Sequence, residues 1–415
     1  MPHRQRTASL TMLKPLALGL ALAFGATASA EESPYYIGVS QAFTHDSNVL
    51  HSTNNERGDT ISSTGVLGGI DLKPGRQHVF GNLSAQANRH QHFDALDNTS
   101  YDAAAGLDWQ TIEHLSGALQ YSTKQNLVNF ADVSVPVGTK DVQKTQHASA
   151  SVRYGITSQF GLEGSASHRT VVFSNAEDKR GFTQRVGSAG VRWGGTGILT
   201  VGVSLRDTKT DTPQALIGFS TLGDLTAVPP ILPVAAYGPD RSDRRDVDLT
   251  TTWSPSGLSI LSARLSVSRQ THSQPSLPKF SGVTGSLGWD YKPTGKLEFK
   301  TTLARDTGSE VVFSEGLNLF PLRTSNDRLN TLASLEAKYE ATAKILVDAN
   351  IKYDRGFLDA LDVSKNGSRS TTSYGIGAKY LASRAITLGC NLNQERRSHT
   401  YEDTVASCSA QFVLR

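Results

Sequence analysis

His90 and His92 flank Gln91, and two histidines two residues apart on a strand point the same way, as paired metal ligands must. They are expected to be solvated side chains at an outer rim, with no metal between them. Ser167 and His168 are neighbours in sequence. Neighbours on a strand point to opposite faces, which excludes a direct nucleophile–base pair. A hydrolase would need a nucleophile, base and orienting group, or paired carboxylates. None is expected here, so the chain reads as a non-enzyme with no catalytic residue, metal or cofactor.

A larger set of residues could act together without being catalytic. Arg153, Arg192, Lys300, Lys338 and Lys379 share one parity with Asp108, Glu163, Asp290, Glu298 and Glu336 along their segments. Farther from the short turns stand Arg206, Arg264 and Lys352, with Asp102, Asp248 and Asp348. What these charges can do depends on the face to which the elements carry them.

The elements are strands. In "ASASVRYG" the residues Ala148, Ala150, Val152 and Tyr154 alternate with Ser149, Ser151 and Arg153. "LTVGVSLR" (199–206), "VTGSLGWDY" (283–291) and "KILVDANIKY" (344–353) repeat the rhythm. A period of two is the strand period, and helical spacing fits these segments poorly. Short turns such as "KPGR", "GGTG", "SPSG" and "KPTG" alternate with longer polar connections at 46–60, 125–143, 209–243, 307–326 and 356–369. Eight short turns and nine longer loops predict eighteen strands, with strand 2 (about 60–72) the least clearly patterned.

Composition narrows the class. The chain has 415 residues, is only 38% hydrophobic, and carries 37 glycines. That is too polar for an ordinary core of this size. Residues 1–30 read as a signal peptide: Arg4, Arg6 and Lys14, then the apolar "PLALGLALAFG", then the small-residue site "ASA". Those three cations match the formal charge of +3, so the mature chain (31–415) is near neutral and no nucleic-acid partner is expected. No apolar run is long enough for a transmembrane helix.

Short turns at one end and long loops at the other predict an all-β transmembrane antiparallel up-and-down β-barrel of about 18 strands in the cell outer membrane. Trp109, Trp193, Trp253 and Trp289 all stand just before a short turn in the apolar register, with Tyr154, Tyr339 and Tyr380 placed likewise. They predict an aromatic girdle at one lipid interface. A soluble sandwich would not gather every tryptophan at one end. The apolar set then faces lipid, and the charges named above face a lumen. Their mixed sign suits a wet, hydrogen-bonding channel for a neutral or weakly charged glycan, since a pore for a strongly anionic polymer would be dominated by one sign. The connection 209–243 is unusually apolar, with Ile217, Phe219, Leu222 and Leu225, and is predicted to fold into the mouth and constrict it.

"YYIGVSQAFTHDSNVLH" and the following "GDTISSTGVLGGIDLKPGRQHVFGNLSAQANRHQHFDALDNTSYDAAAGLDWQT" resemble the EpsL-type exopolysaccharide-biosynthesis outer-membrane proteins of the beta-barrel porin 2 group. The likeness is sharpest over about residues 35–125, in "DSNV", "GRQ" and "GLDW". It implies a porin exporting a polysaccharide and working with a periplasmic polysaccharide-export protein. The chain departs from the usual pattern of outer-membrane barrels in ending "AQFVLR", with Phe412 three residues before Arg415. The alternatives are a general diffusion porin or nutrient channel, and a structural barrel without a transport role.

The two cysteines are predicted to form a disulfide. "ITLGCNLNQERRSHTYEDTVASCSAQF" reads as a hairpin with its tip near His399. Paired positions in an antiparallel hairpin have a constant index sum, which is 798 for that tip, and Cys390 and Cys408 satisfy it. Both lie in the apolar register of an exported protein, where the bridge is chemically permitted.

Overall fold

A computed structural model describes residues 33–415 except 129, 131–137, 156–158, 176–177, 195–197, 221–233, 308–328, 358–367 and 399. Its strands are β1 (Tyr35–Asp46), β2 (Asp59–Leu72), β3 (His78–His90), β4 (Asn98–Gln110), β5 (Leu115–Leu127), β6 (Val142–Gly155), β7 (Phe160–Phe173), β8 (Phe182–Trp193) and β9 (Leu199–Ser220). They continue as β10 (Val234–Ser256), β11 (Ser259–His272), β12 (Phe280–Thr294), β13 (Leu297–Thr307), β14 (Leu329–Thr342), β15 (Ile345–Phe357), β16 (Ser368–Leu381), β17 (Ile386–Arg397) and β18 (Tyr401–Leu414). Each strand pairs antiparallel with the next, and β1 also pairs with β18 through Ile37↔Leu414 to Asp46↔Val405. The sheet therefore closes on itself. Closure leaves no edge, so backbone donors and acceptors within the hydrocarbon find partners on neighbouring strands. The chain is an all-β outer-membrane barrel of eighteen strands.

Side chains of opposite parity meet different surroundings. Val247, Leu249 and Trp253 of β10 are 50%, 47% and 46% exposed, whereas Arg244, Asp246 and Asp248, of the opposite parity, are buried. An exposed apolar face around a polar interior inverts a soluble protein, and lipid is the solvent that suits it. Trp193, Trp253, Trp289, Tyr154, Tyr339 and Tyr380 all stand exposed near the short-turn end. Trp109 is half-buried because its ring lies over Gly117, its direct partner on β5; a Cβ at Gly117 would sit 2.5 Å from that ring. The glycine leaves the space that the indole occupies.

Cys390 and Cys408 face each other across β17 and β18 and are joined as a disulfide, with Cα atoms 4.1 Å apart. At the long-loop end a small apolar plug of Val49, Leu96 and Phe130 includes the end of the 3₁₀ turn Asp94–Leu96.

Candidate functional site

The lumen is lined by the inward parity of every strand, so its chemistry follows from what the register sets side by side. Lys300 pairs with Asp290 on one side and Glu336 on the other. Lys338 pairs with Glu298 and Asp348, and Arg153 with Glu163. Asp108 stands opposite His78, whose Nδ1 lies 3.4 Å from its carboxylate. Arg192 stands between Gly161 and Gly202, Lys352 between Ser334 and Ser373, and Lys379 between Leu346 and Gly389. The sixteen charges that the sequence assigns to the lumen share the strand parity opposite to that of the exposed apolar residues. Most are set beside an opposite charge and so do not present a field of one sign.

Higher in the lumen lies a denser arrangement, for which the sequence offered Arg206, Arg264 and Asp248 but not Arg244, Asp246 and Asp306. Arg244 of β10 is 1% exposed. Its Nε donates to Asp246 Oδ1 at 2.9 Å. Its Nη1 donates to Asp306 Oδ1 at 2.8 Å and to Thr307 Oγ1 at 2.5 Å. Its Nη2 donates to Ser268 Oγ at 2.9 Å and Thr284 Oγ1 at 3.1 Å. A guanidinium has five N–H groups, and all five are used. Asp306 also accepts from Arg264 Nη2 at 2.7 Å. Asp246 lies 3.4 Å from Arg206, which binds Asp248 through Nε at 2.8 Å and Nη2 at 3.1 Å. The result is a chain of alternating charge, Asp248–Arg206–Asp246–Arg244–Asp306–Arg264, anchored on β9, β10, β11 and β13. Three cations and three anions cancel. The burial is one-sided: Ser266, Ser268 and Gln270 are buried on this wall, while Ser84, Gln86 and Gln120 on the opposite wall are exposed.

The connection predicted over 209–243 is largely strand. β9 and β10 stay paired up to Ser220↔Val234, with irregular register near Ala236 and Gly238. Ile217 therefore belongs to a strand, where it packs against Gly238, and the backbone of Phe219 pairs with Ala235. Leu222 and Leu225 lie outside the described residues. The physical reason is backbone pairing: two strands leaving the membrane together keep satisfying each other's N–H and C=O groups. A hairpin that keeps its ladder does not need to fold back at residue 209.

The rim at the long-loop end is built from aspartates. His90 and His92, rather than converging on an ion, each meet a different carboxylate: His90 Nδ1 lies 3.5 Å from Asp97 and His92 Nδ1 3.0 Å from Asp59. Among the described residues no group of three metal-ligating side chains comes together. Burial pushes the Asp59 carboxyl up, but hydrogen bonds from His92, Thr60 and Phe93 outweigh it and hold the pKa below the usual range. Asp240 behaves alike, with burial outweighed by His272, Ser273 and Gln274.

Asp46 is the opposite case. Burial and the neighbouring Asp403 carboxylate push its pKa up to about 7, against the lowering effect of the Asn48 N–H and His51. A folded-state pKa above the unfolded one means that the folded protein binds the extra proton. Stability contributed there is present at acid pH and is lost as pH rises from about 4 through about 7. Asp46→Asn should therefore raise the thermal midpoint at pH 8 and leave it unchanged at pH 4. Melting followed by gel mobility at the two pH values checks this, and an equal shift at both would refute the coupling.

No protein-family model matches this chain, and no curated protein matches it. The EpsL resemblance therefore gains no support from either comparison. Solved barrels align along most of the chain at very low identity. The outer membrane protein opdK from Pseudomonas aeruginosa is 9% identical, with 92% of this chain and 98% of that one covered and a TM-score of 0.46. OccK2 (OpdF) of the same organism, solved with glucuronate, gives 10%, 92%, 99% and 0.46. The siderophore receptor PiuA from Acinetobacter baumannii gives 12%, 92%, 82% and 0.41. The barrel is established by this chain's own strand pairing, and these similarities add nothing to its functional reading.

Proposed function

We propose that the protein is a passive outer-membrane channel for small hydrophilic solutes, with weak charge selectivity. The observation that carries this reading is the balance of charge along the inward face, above all the chain of three arginines and three aspartates. A lumen lined by hydroxyls, amides and self-neutralised ion pairs can hydrogen-bond a polar solute without trapping one sign of charge. Polymer export rests on the sequence resemblance, and the balanced lumen does not favour a neutral glycan over a small polar solute.

Planar-bilayer recording tests the reading. The purified barrel should give stepwise conductance, and in a KCl gradient the permeability ratio should stay near unity. Strong anion selectivity would contradict the balanced lumen. An absence of steps would favour a structural barrel.

A further inference from the structure

The outward face changes character at a defined height. On β8 and β10 the residues eight positions from Trp193 and Trp253 are Arg185 and Arg245, in the same outward register. Eight strand residues span about 26 Å, or about 20 Å along the membrane normal at a tilt of about 40°. That is close to the height of the apolar band of such barrels, so these arginines stand at the far lipid interface, on the long-loop side. Lys209, Arg269, Arg305 and Arg355 occupy the equivalent outward position on β9, β11, β13 and β15. All six side chains are exposed. At this level on β8–β15 the described outward residues include only two acids, Asp207 and Asp243.

The register then does something unfavourable in water. Arg185 pairs directly with Lys209, and Arg245 directly with Arg269. Like charges set opposite each other on one sheet face repel, and beside hydrocarbon they are poorly screened. Asp207, directly opposite Arg245 and 3.8 Å from it, and Asp243, directly opposite Lys209, relieve part of this, but Arg245 remains 88% exposed. Arg185, Arg269 and Arg305 form no ion pair among the described residues. An anion between the paired cations removes the repulsion. Guanidinium forks match phosphate oxygens in shape and spacing.

We propose that this belt over β8–β15 binds the phosphate groups of anionic lipid headgroups in the outer leaflet. The lipid's acyl chains would lie against the apolar face below, beside Val203, Leu205, Val247 and Leu265, and its phosphates between the paired cations. This binding rests on the barrel and its membrane, and is independent of what passes through the lumen.

Native mass spectrometry of the detergent-solubilised protein, titrated with purified lipid A, tests it. Wild type should retain lipid A and should not retain its fully dephosphorylated form. Inorganic phosphate at the same concentration should not compete, which separates a lipid site from a simple anion site. Arg245→Gln with Arg269→Gln should weaken lipid A retention about twentyfold or more, since each basic residue at an anionic surface contributes about fivefold. The Arg→Lys pair at those positions should retain much of the binding, and Lys338→Gln in the lumen should retain all of it. Heat-modifiable gel mobility reports that each variant is folded, and the wild-type comparison of the two lipids needs no variant. Equal retention of phosphorylated and dephosphorylated lipid, or unaltered retention by the Gln pair, overturns the proposal.

Discussion

Replacing Arg244 with Leu should destabilise the barrel by about 3–5 kcal/mol, the usual cost of removing one partner from a buried ion pair. The loss of the arginine's own bonds is the smaller part. Asp246 and Asp306 are both buried, and each would be left with a carboxylate short of a charged donor. Ser268 and Thr284 would lose a donor as well. Arg244→Lys should fall in between, because an ammonium keeps the charge but cannot serve five acceptors spread over four strands. Urea unfolding in detergent, followed by gel mobility, measures the order wild type, Lys, Leu. The Leu variant should also shift the bilayer reversal potential toward cation preference, since the lumen would then hold an unmatched aspartate. A Leu variant as stable as wild type would show that the charge chain is not under the constraint its burial implies.

Removing the disulfide should have the next largest effect. The bridge spans 18 residues, and closing a loop of that length restricts the unfolded chain by about 3 kcal/mol in the chain-entropy description. Cys390→Ser with Cys408→Ser should lower the urea midpoint accordingly, and reductant should lower that of wild type but not of the variant. The effect is sharpened by position. β18 closes the barrel against β1, with Cys408 opposite Phe43. A slip of one residue between β17 and β18 would send every outward side chain of β18 into the lumen. Thiol labelling of the denatured, unreduced protein gives an independent check: two free thiols per chain would remove the basis of the prediction.

Much of this architecture is legible in the sequence because lipid imposes its pattern on every strand that crosses it. Trp193, Trp253 and Trp289 mark one boundary by chemistry alone, and the strand count follows from the turns between them. The cysteine pairing is legible because a tight hairpin converts spacing into register. The charge chain around Arg244 is not. Above the apolar band neither face of a strand needs to be apolar, so Thr208, Thr210 and Thr212 alternate with Asp207, Lys209 and Asp211 and leave no two-sided contrast to read. Arg244 stands just inside the end of that stretch, next to Asp243, Arg245 and Asp246, and looks like part of a charged loop. Its partners Asp306 and Thr307 are some sixty residues away and border a long connection. Only strand pairing around the wall brings them to one place.

The β9–β10 hairpin has a consequence for how the cell meets its surroundings. Beyond Lys209, β9 runs another eleven residues to Ser220, about 36 Å of extended chain, still paired with β10. Most surface loops of a barrel are wrapped in the sugars of neighbouring glycolipids. A paired ribbon of this length stands clear of them, stiff where a loop would be slack. Its described residues offer antibodies, bacteriophage and externally added proteases a surface beyond the lipid interface. An epitope tag placed on it would report surface display in intact cells.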